Sequence, residues 1–174
     1  MESLKKYIRH VPDFPKKGIG FKDITPLLAD ARAFALTVDT IAFRYHEQGI
    51  EAVAGIESRG FLFAAPIAQK LGVGVVPVRK RGKLPWKARR VTYDLEYGQD
   101  TIEAHEDAVR PGQKVLCVDD LLATGGTMAA CVKLLEELGA QVVSCAFVIE
   151  LTPLNGRGRL GGKDVFSLLT YDEA

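Results

Sequence analysis

The stretch AVAGIESRGFLFAAPIAQKLGVGVVPV, residues 52–78, decides the fold of this chain. Its apolar run Ala52–Ile56 is typical of a buried strand. Phe61–Leu71 then has the apolar spacing of a helix that stops at Gly72, and Val73–Val78 is a second strand-like run. Two strands joined by a helix in this way need a right-handed crossover and lie parallel in one sheet.

The same alternation continues on both sides of this stretch. After Asp30, a suitable N-cap, apolar residues recur at helical spacing as far as Gly49. Val115–Val118 and Val142–Ile149 are further short apolar runs, separated by a helical pattern that ends at Gly139. The pattern predicts an α/β fold with an open, mostly parallel sheet flanked by helices, which binds ligands at the carboxyl ends of its strands.

Composition narrows the class of protein. A chain of 174 residues, 47% of them hydrophobic, predicts a single domain over residues 1–174. Lys and Arg number 23 against 22 Asp and Glu, so the net charge of +1 gives no overall field for nucleic acid. We expect a cytoplasmic protein without membrane or nucleic-acid partners, because no signal peptide or spanning segment is visible. The cysteines Cys117, Cys131 and Cys145 lie among aliphatic residues, which predicts buried free thiols.

The segment VLCVDDLLATGGT, residues 115–127, has the strongest chemical pattern. A strand delivers Asp119 and Asp120, and a turn of small residues then opens a helix. Glycines allow close approach of a ligand, and the first helical turn offers unpaired N–H groups and partial positive charge, so a phosphate monoester fits there. The carboxylates could hold two ribose hydroxyls or a hydrated Mg²⁺, although a turn of this kind is also a common structural element. The turn consists of Ala123, Thr124, Gly125, Gly126 and Thr127.

This segment resembles the phosphoribosyl-pyrophosphate signature of the type I phosphoribosyltransferases, and DDLLATGGT most resembles the adenine phosphoribosyltransferases. The resemblance extends from about Ile8 to Leu151 and comprises motifs in the family's order. It implies the family's fold, with a small N-terminal hood (residues 1–28) and a mobile basic loop (residues 79–98). It also implies a purine-salvage transferase that converts adenine and phosphoribosyl pyrophosphate to AMP and pyrophosphate.

The resemblance has further implications for assembly and metal binding. Family members are usually homodimers. They use Mg²⁺, which substrate and water mainly hold, so no direct protein ligand is expected beyond Asp119 or Asp120.

The segment GIESRGFLFAAPIA, residues 55–68, is a second strand, turn and helix. A nucleophile elbow, G-x-S-x-G, is excluded because Ile56 stands two residues before Ser58. Arg59 can instead fork onto an anion at the helix start. The segment resembles the family's pyrophosphate loop, in which the peptide before the serine is often cis, and this implies that Ser58 binds pyrophosphate and that Arg59 is catalytic.

The basic stretch RKRGKLPWKARR, residues 79–90, is by composition a solvated charge run or a nucleic-acid patch, with Gly82 and Pro85 preventing a regular helix. With VTYDLEYG, residues 91–98, it resembles the mobile loop of the family. The resemblance implies pyrophosphate contacts from Arg79, Lys80 and Lys83, with Arg79 reaching the neighbouring subunit's site. It makes Glu96 the general acid/base near the purine imidazole edge and Tyr97 a substrate contact.

The N-terminal segment DFPKKGIGFKDITPLL, residues 13–28, resembles the family's hood over the purine. The resemblance implies that Phe21 packs near the base and that the backbone of Ile19, Gly20, Phe21 and Lys22 reads the adenine edge. Two residues depart from the family pattern: Gly20 replaces a branched aliphatic residue packed on the ring, and Lys22 replaces an arginine. We expect the smaller Gly20 to remove contact worth about 1–2 kcal/mol and to change purine affinity or choice.

Two alternatives follow from the same residues. One is a phosphoribosyltransferase for hypoxanthine, guanine or xanthine, to which Gly20 leaves an opening. The other is a non-catalytic regulator of the same fold that senses phosphoribosyl pyrophosphate and binds DNA. Few residues precede the hood motif of residues 13–28 and the net charge is near zero, so we expect an enzyme rather than the regulator.

Overall fold

The computed structural model describes residues 2–94 and 98–173. In chain order its strands and α-helices are β1 (Arg9–Val11), β2 (Phe21–Asp23), α1 (Thr25–Ala29), α2 (Ala31–Tyr45), β3 (Ala52–Ile56), α3 (Arg59–Leu71), β4 (Gly74–Lys80), β5 (Ala88–Asp94), β6 (Gln99–His105), β7 (Lys114–Leu122), α4 (Gly126–Glu137), β8 (Gln141–Leu151) and β9 (Asp164–Tyr171). Short 3₁₀ helices cover Glu2–Tyr7, Thr152–Leu154 and Gly156–Arg159.

One sheet organises the chain, with strand order β5-β6-β4-β3-β7-β8-β9. The strands β4, β3, β7, β8 and β9 are parallel neighbours, whereas β5 and β6 pair antiparallel at one edge. Apolar clusters pack on both faces, one including α4 residues and the other including residues of α2 and α3. The predicted α/β fold with a mostly parallel sheet flanked by helices is confirmed.

The helices largely follow the sequence pattern. Asp30 caps α2 as predicted, because its carboxylate accepts hydrogen bonds from the backbone N–H groups of Arg32 and Ala33 at 3.0 and 2.9 Å. This helix ends at Tyr45, ahead of the predicted stop at Gly49. Within the described ranges, no helix is long and apolar enough to cross a membrane.

The strand pair β5–β6 is absent from the sequence prediction, which gave residues 79–98 as a loop. Ala88–Asp94 pairs in register with Gln99–His105, and Arg79 and Lys80 belong to the end of β4. In β5 only Val91 is buried, and its neighbours in the sequence are charged or polar. The apolar alternation that marks a strand is therefore weak in this segment.

The three cysteines are free and buried, as predicted. Cys117 on β7 lies opposite Cys145 on β8, and Cys131 comes from α4. Hydrogen bonding to Cys131, together with burial, raises the pKa of the Cys117 thiol, and hydrogen bonding to Cys117 and burial do the same for the pKa of Cys145. These thiols therefore lack the thiolate form that reacts with electrophiles.

We expect all the cysteines to be unreactive in the folded protein. A thiol-specific chromogenic reagent should modify them at least about 100-fold more slowly in buffer than in concentrated denaturant, because the reagent reaches them only through unfolding. The time course of absorbance measures this difference. One equivalent of rapid reaction in buffer would contradict the burial of all the thiols.

Candidate functional site

The site lies where the parallel strands β3, β4 and β7 end. These strands are adjacent in the sheet, so their carboxyl ends share one edge. The chain leaves β3 through Glu57 and Ser58 into α3, and leaves β7 through residues 123–125 into α4. The Glu57–Ser58 peptide is cis, as the resemblance implied. Sequence-predicted residues from separate segments therefore meet at this edge.

The acidic pair sits within the last residues of β7, since that strand continues to Leu122. Asp120 is 5% exposed, and its carboxylate accepts a hydrogen bond of 2.5 Å from Arg59 Nε. Burial, followed by repulsion from Asp120, raises the pKa of Asp119. The start of α3 packs tightly on this pair, because a Cβ added at Gly60 would lie 3.0 Å from Asp119 Oδ1. The pair is thus held rigidly beside one guanidinium.

The phosphate turn, residues 123–127, leads into α4 without a side-chain cap. Gly125 is the N-cap with φ of 81°, and among the described residues no side chain bonds the first N–H groups of the helix. Those N–H groups and the helix dipole are available to an anion. The turn and the acidic pair, with Arg59, line a small cavity of about 210 Å³. Its size and donors suit a phosphate group.

Gly156 packs against the phosphate turn. Sequence-based prediction missed it, because no site was assigned to residues after Leu151. A Cβ at Gly156 would lie 2.3 Å from the carbonyl oxygen of Ala123, and one at Gly125 would lie 2.4 Å from the carbonyl oxygen of Gly156. The two backbones therefore touch directly. The glycines of the segment 156–162 are the sequence signal that could have indicated this approach.

A large cavity of about 680 Å³ adjoins the small one. The two share Leu121, Ala123 and Thr124. Of the predicted hood residues, Ile19, Gly20 and Phe21 line the large cavity, while Lys22 does not. The sequence missed several of its other lining residues: Phe14, Asp94, Leu151, Leu154 and Arg159.

The aromatic hood is connected to the acidic pair through Arg59. The Arg59 guanidinium lies 5.5 Å from the Phe21 ring centroid, and Phe21 meets Phe14 edge to face at 5.2 Å. A flat apolar ligand in the large cavity would therefore lie between aromatic and aliphatic walls, next to the cation of the small cavity.

The structure places the missing side chain of Gly20 differently from the sequence expectation. A Cβ at Gly20 would lie 2.7 Å from His10 Cε1, and thus on the side of the hood where His10 packs. The expected loss of a contact on a purine ring does not follow from this geometry, because that Cβ meets the imidazole first.

The predicted loop cations Arg79, Lys80 and Lys83 line neither cavity, and the side chains of Arg79 and Lys80 are paired with carboxylates. Arg79 Nε donates to Glu57 at 3.2 Å, and Lys80 donates to Asp100. Although burial raises the pKa of Glu57, hydrogen bonds from the Lys80 N–H and from Arg79 outweigh it and hold that pKa below its usual value. The Lys83 carbonyl accepts a hydrogen bond of 2.9 Å from Arg79 Nη1. These groups form a charged network at the end of β4, beside the pyrophosphate loop.

Glu103 organises the turn of the basic stretch and was not recognised in the sequence. Its side chain is buried, and one carboxylate oxygen accepts from the N–H groups of Gly82, Lys83 and Leu84 at 2.9 to 3.2 Å. The other oxygen accepts from Arg90 Nε at 2.8 Å. Burial raises the pKa of Glu103, but the hydrogen bonds from Arg90, Leu84 and Gly82 lower it by more, so the net effect is a lowered pKa.

We expect Glu103→Ala to reduce the free energy of unfolding by about 2 kcal/mol at neutral pH, because a carboxylate with several donors is lost. The folded pKa is depressed, so this contribution is present above the unfolded pKa and disappears as pH falls through the folded value. Urea unfolding of both proteins at pH 7 and at acidic pH measures the difference. An equal difference at all pH values would contradict a role for the ionised carboxylate.

Glu96 and Tyr97 lie outside the described residues. Their chain neighbours are placed beside the phosphate turn: a Cβ at Gly126 would lie 3.6 Å from the Asp94 carbonyl oxygen and 3.8 Å from Tyr93 Cδ2. Thr127 Oγ1 donates to the Tyr93 hydroxyl at 3.2 Å. The strand that leads to Glu96 thus ends at the site.

Comparison with known protein families agrees with this geometry. A model of the phosphoribosyl transferase domain matches residues 27–167. An adenine phosphoribosyltransferase from Syntrophotalea carbinolica is 57% identical over 171 residues, covering 98% of this chain and 100% of the relative.

Solved structures share the whole fold. The crystal structure of an adenine phosphoribosyltransferase from Thermoanaerobacter pseudethanolicus has a TM-score of 0.95 and 54% identity, covering 98% of this chain and 99% of that one. The enzyme from Saccharomyces cerevisiae, crystallised with an imino-altritol bisphosphate and adenine, has a TM-score of 0.92 and 41% identity, with 97% of each chain covered. The similarity therefore includes every segment that forms the site.

Proposed function

The chain belongs to the phosphoribosyltransferase family, among its adenine phosphoribosyltransferases, and on that premise we propose how its own residues transfer a phosphoribosyl group to adenine. The products are AMP and pyrophosphate. The observation that carries the proposal is the pair of adjoining cavities, one small and polar at a helix N-terminus, the other large and apolar under the hood. A phosphorylated sugar and a flat base can occupy them side by side.

The small cavity holds the sugar phosphate. The N–H groups of residues 124–127 and the hydroxyls of Thr124 and Thr127 surround the 5′-phosphate, and Asp119 and Asp120 accept hydrogen bonds from ribose hydroxyls. Rigid backbone contact with Gly156 fixes the turn before substrate arrives. Positioning of the anomeric carbon can then lower the barrier by several kcal/mol.

Cations at the end of β3 and β4 hold the leaving group. Breaking the bond at the anomeric carbon leaves negative charge on pyrophosphate, so stabilisation of that charge accelerates the step. Arg59 and Ser58 bind it from the start of α3. Arg79 and Lys80 exchange their carboxylate partners for its oxygens, and Lys83 contacts it as well. Arg79 performs this role in the neighbouring subunit of a homodimer, as the family resemblance suggests.

The large cavity holds adenine. Phe21 packs near the ring, and the backbone of Ile19 and Gly20, which line this cavity, reads its edge and selects adenine over other purines. Glu96 exchanges a proton with the purine imidazole, and Tyr97 contacts the substrate; both roles rest on the family's LEYG motif. The end of β5 at the phosphate turn supports this placement.

Mg²⁺ fits the donors of the small cavity. Carboxylate oxygens are ligands that Mg²⁺ prefers, and Asp119 and Asp120 offer them beside the proposed leaving group. When bound, the ion neutralises charge on pyrophosphate. The protein groups position the donor, and substrate and water would supply most of the ion's ligands.

We also propose a single domain and a homodimer. Both apolar clusters pack on one sheet, which supports one folding unit. Exposed apolar side chains on adjacent elements, Leu62 on α3 at 46% and Val75 on β4 at 43%, support a subunit contact on this side of the sheet. Light scattering should give the mass of two chains, and a mass of one chain under assay conditions would contradict the dimer.

The experiment that tests the function is pyrophosphate release from phosphoribosyl pyrophosphate with adenine, hypoxanthine, guanine or xanthine. Of the four purines, we expect only adenine to give pyrophosphate release above background. Chelation of Mg²⁺ by EDTA should slow this release by about 10- to 100-fold. Excess Mg²⁺ added back is the control for chelation. Release with another purine would overturn the choice of base, and binding of the donor without release would favour the sensing regulator.

A further inference from the structure

The outer face of the hood has a packing arrangement that the family motifs do not describe. His10 on β1 is opposite Lys22 on β2, and Val11 is opposite Phe21. Paired residues of antiparallel strands share a face and successive residues alternate, so His10 and Lys22 point away from the face of Phe21. Phe21 lines the large cavity, and His10 and Lys22 line a separate outer cavity of about 290 Å³.

Gly20 separates these two cavities, since it lines both. A Cβ at Gly20 would lie 2.7 Å from His10 Cε1, 3.5 Å from Nδ1 and 3.6 Å from Nε2. The imidazole therefore occupies the space that a side chain at position 20 would need. His10 can take this position because residue 20 has no side chain.

Lys22 holds the imidazole from the other side. Its side chain is 4% exposed, and its Nζ lies 3.4 Å from His10 Nδ1, 3.3 Å from a Glu173 carboxylate oxygen and 4.5 Å from the Tyr171 ring centroid. A buried ammonium needs such partners. Tyr171 is the last residue of β9 and Glu173 follows that strand, so the carboxyl-terminal segment supports the hood.

We propose that His10 is a positioning residue for the purine: its ring replaces the side chain absent at Gly20 and, with Lys22 and Glu173 behind it, holds the backbone of residues 18–20 against the large cavity. This inference rests on adenine binding in that cavity. On this inference, the chain tolerates glycine at position 20 because His10 fills the space of the missing side chain.

An exchange of the two side chains tests the proposal. We expect His10→Ala and Gly20→Val each to raise the KM for adenine about 3- to 10-fold, with the KM for phosphoribosyl pyrophosphate within twofold of wild type. In the double variant the valine occupies the space left by the imidazole, so the adenine KM should return to within about twofold of wild type. A general structural defect would change both KM values and would not be rescued.

Matched controls use positions away from the hood. His46→Ala removes an exposed histidine, and Gly74→Val adds a side chain where a Cβ meets no atom within 4 Å. Both should leave the adenine KM within twofold of wild type. The proposal would be overturned if the increases in adenine KM of the two single hood variants multiplied in the double variant. An adenine KM unchanged in His10→Ala would also overturn it.

Urea unfolding supplies a readout that does not depend on turnover. The unfolding midpoint should fall in each single hood variant and recover in the double variant, and additive losses would overturn the packing argument. Wild-type protein without activity on adenine would instead refute the proposed function, while the unfolding result would still decide whether His10 and position 20 share one space.

Discussion

Replacement of Glu96 by alanine is expected to slow AMP formation by about 10²- to 10⁴-fold, the usual contribution of a positioned general acid or base. The family resemblance of the LEYG motif assigns this carboxylate to the purine imidazole edge, and Tyr93 and Asp94 at the end of β5 lie beside the phosphate turn. Closure of the basic loop, residues 79–98, which the resemblance implies, would exclude water from the carboxylate and improve its ability to exchange a proton. Steady-state kcat from pyrophosphate release measures the effect.

The control for Glu96 is Glu106→Ala, which removes an exposed carboxylate after β6 and should leave kcat within twofold of wild type. The KM for phosphoribosyl pyrophosphate should change little in Glu96→Ala, because the proposed role concerns the base. A variant that retains more than a tenth of wild-type kcat would remove Glu96 from the acid/base role.

Loss of the Arg59 guanidinium should lower kcat by about 10²- to 10³-fold, as expected for one preorganised group that stabilises charge developing in the transition state. Arg59 lies between the Asp120 carboxylate at 2.5 Å and the Phe21 ring at 5.5 Å, so it lines the small cavity and lies next to a ring that lines the large one. Arg59→Ala measured by kcat and by the KM for each substrate gives the size and the step of the loss.

Arg59→Lys distinguishes charge from geometry. A lysine keeps the charge but lacks the planar fork, so it should recover only part of the lost rate. Arg89→Ala, at an exposed arginine of β5 without an assigned role, is the matched control. If Arg59→Ala behaved like Arg89→Ala, the leaving group would have to be stabilised by the loop cations alone.

The sheet core and the phosphate turn could be predicted because their patterns are local. Apolar runs and helical spacing within residues 52–78 identify a parallel unit, and the acids and glycines of residues 119–127 are consecutive. The β5–β6 pair could not be predicted. Val91 is the one buried residue of β5, and the charged residues around it in the sequence leave no alternation of apolar and polar residues to indicate a strand.

The rest of the site depends on contacts between distant segments. Gly156 and Leu151 reach the phosphate turn and the large cavity only because β8 carries the chain back beside β7. The direction of the missing Gly20 side chain depends on which face of the short hairpin meets His10, and a single motif does not specify that face.

The pairing of Arg59 with Asp120, of Arg79 with Glu57 and of Lys80 with Asp100 has a consequence for selectivity among cellular anions. Each cation is already neutralised by a carboxylate, so a single negative charge gains little by entering. A ligand must offer several oxyanions at matching positions to displace these internal competitors. If these cations bind the leaving group as proposed, chloride, acetate and isolated phosphate are disfavoured, and a pyrophosphate attached to a sugar is recognised by how many pairs it can exchange at once.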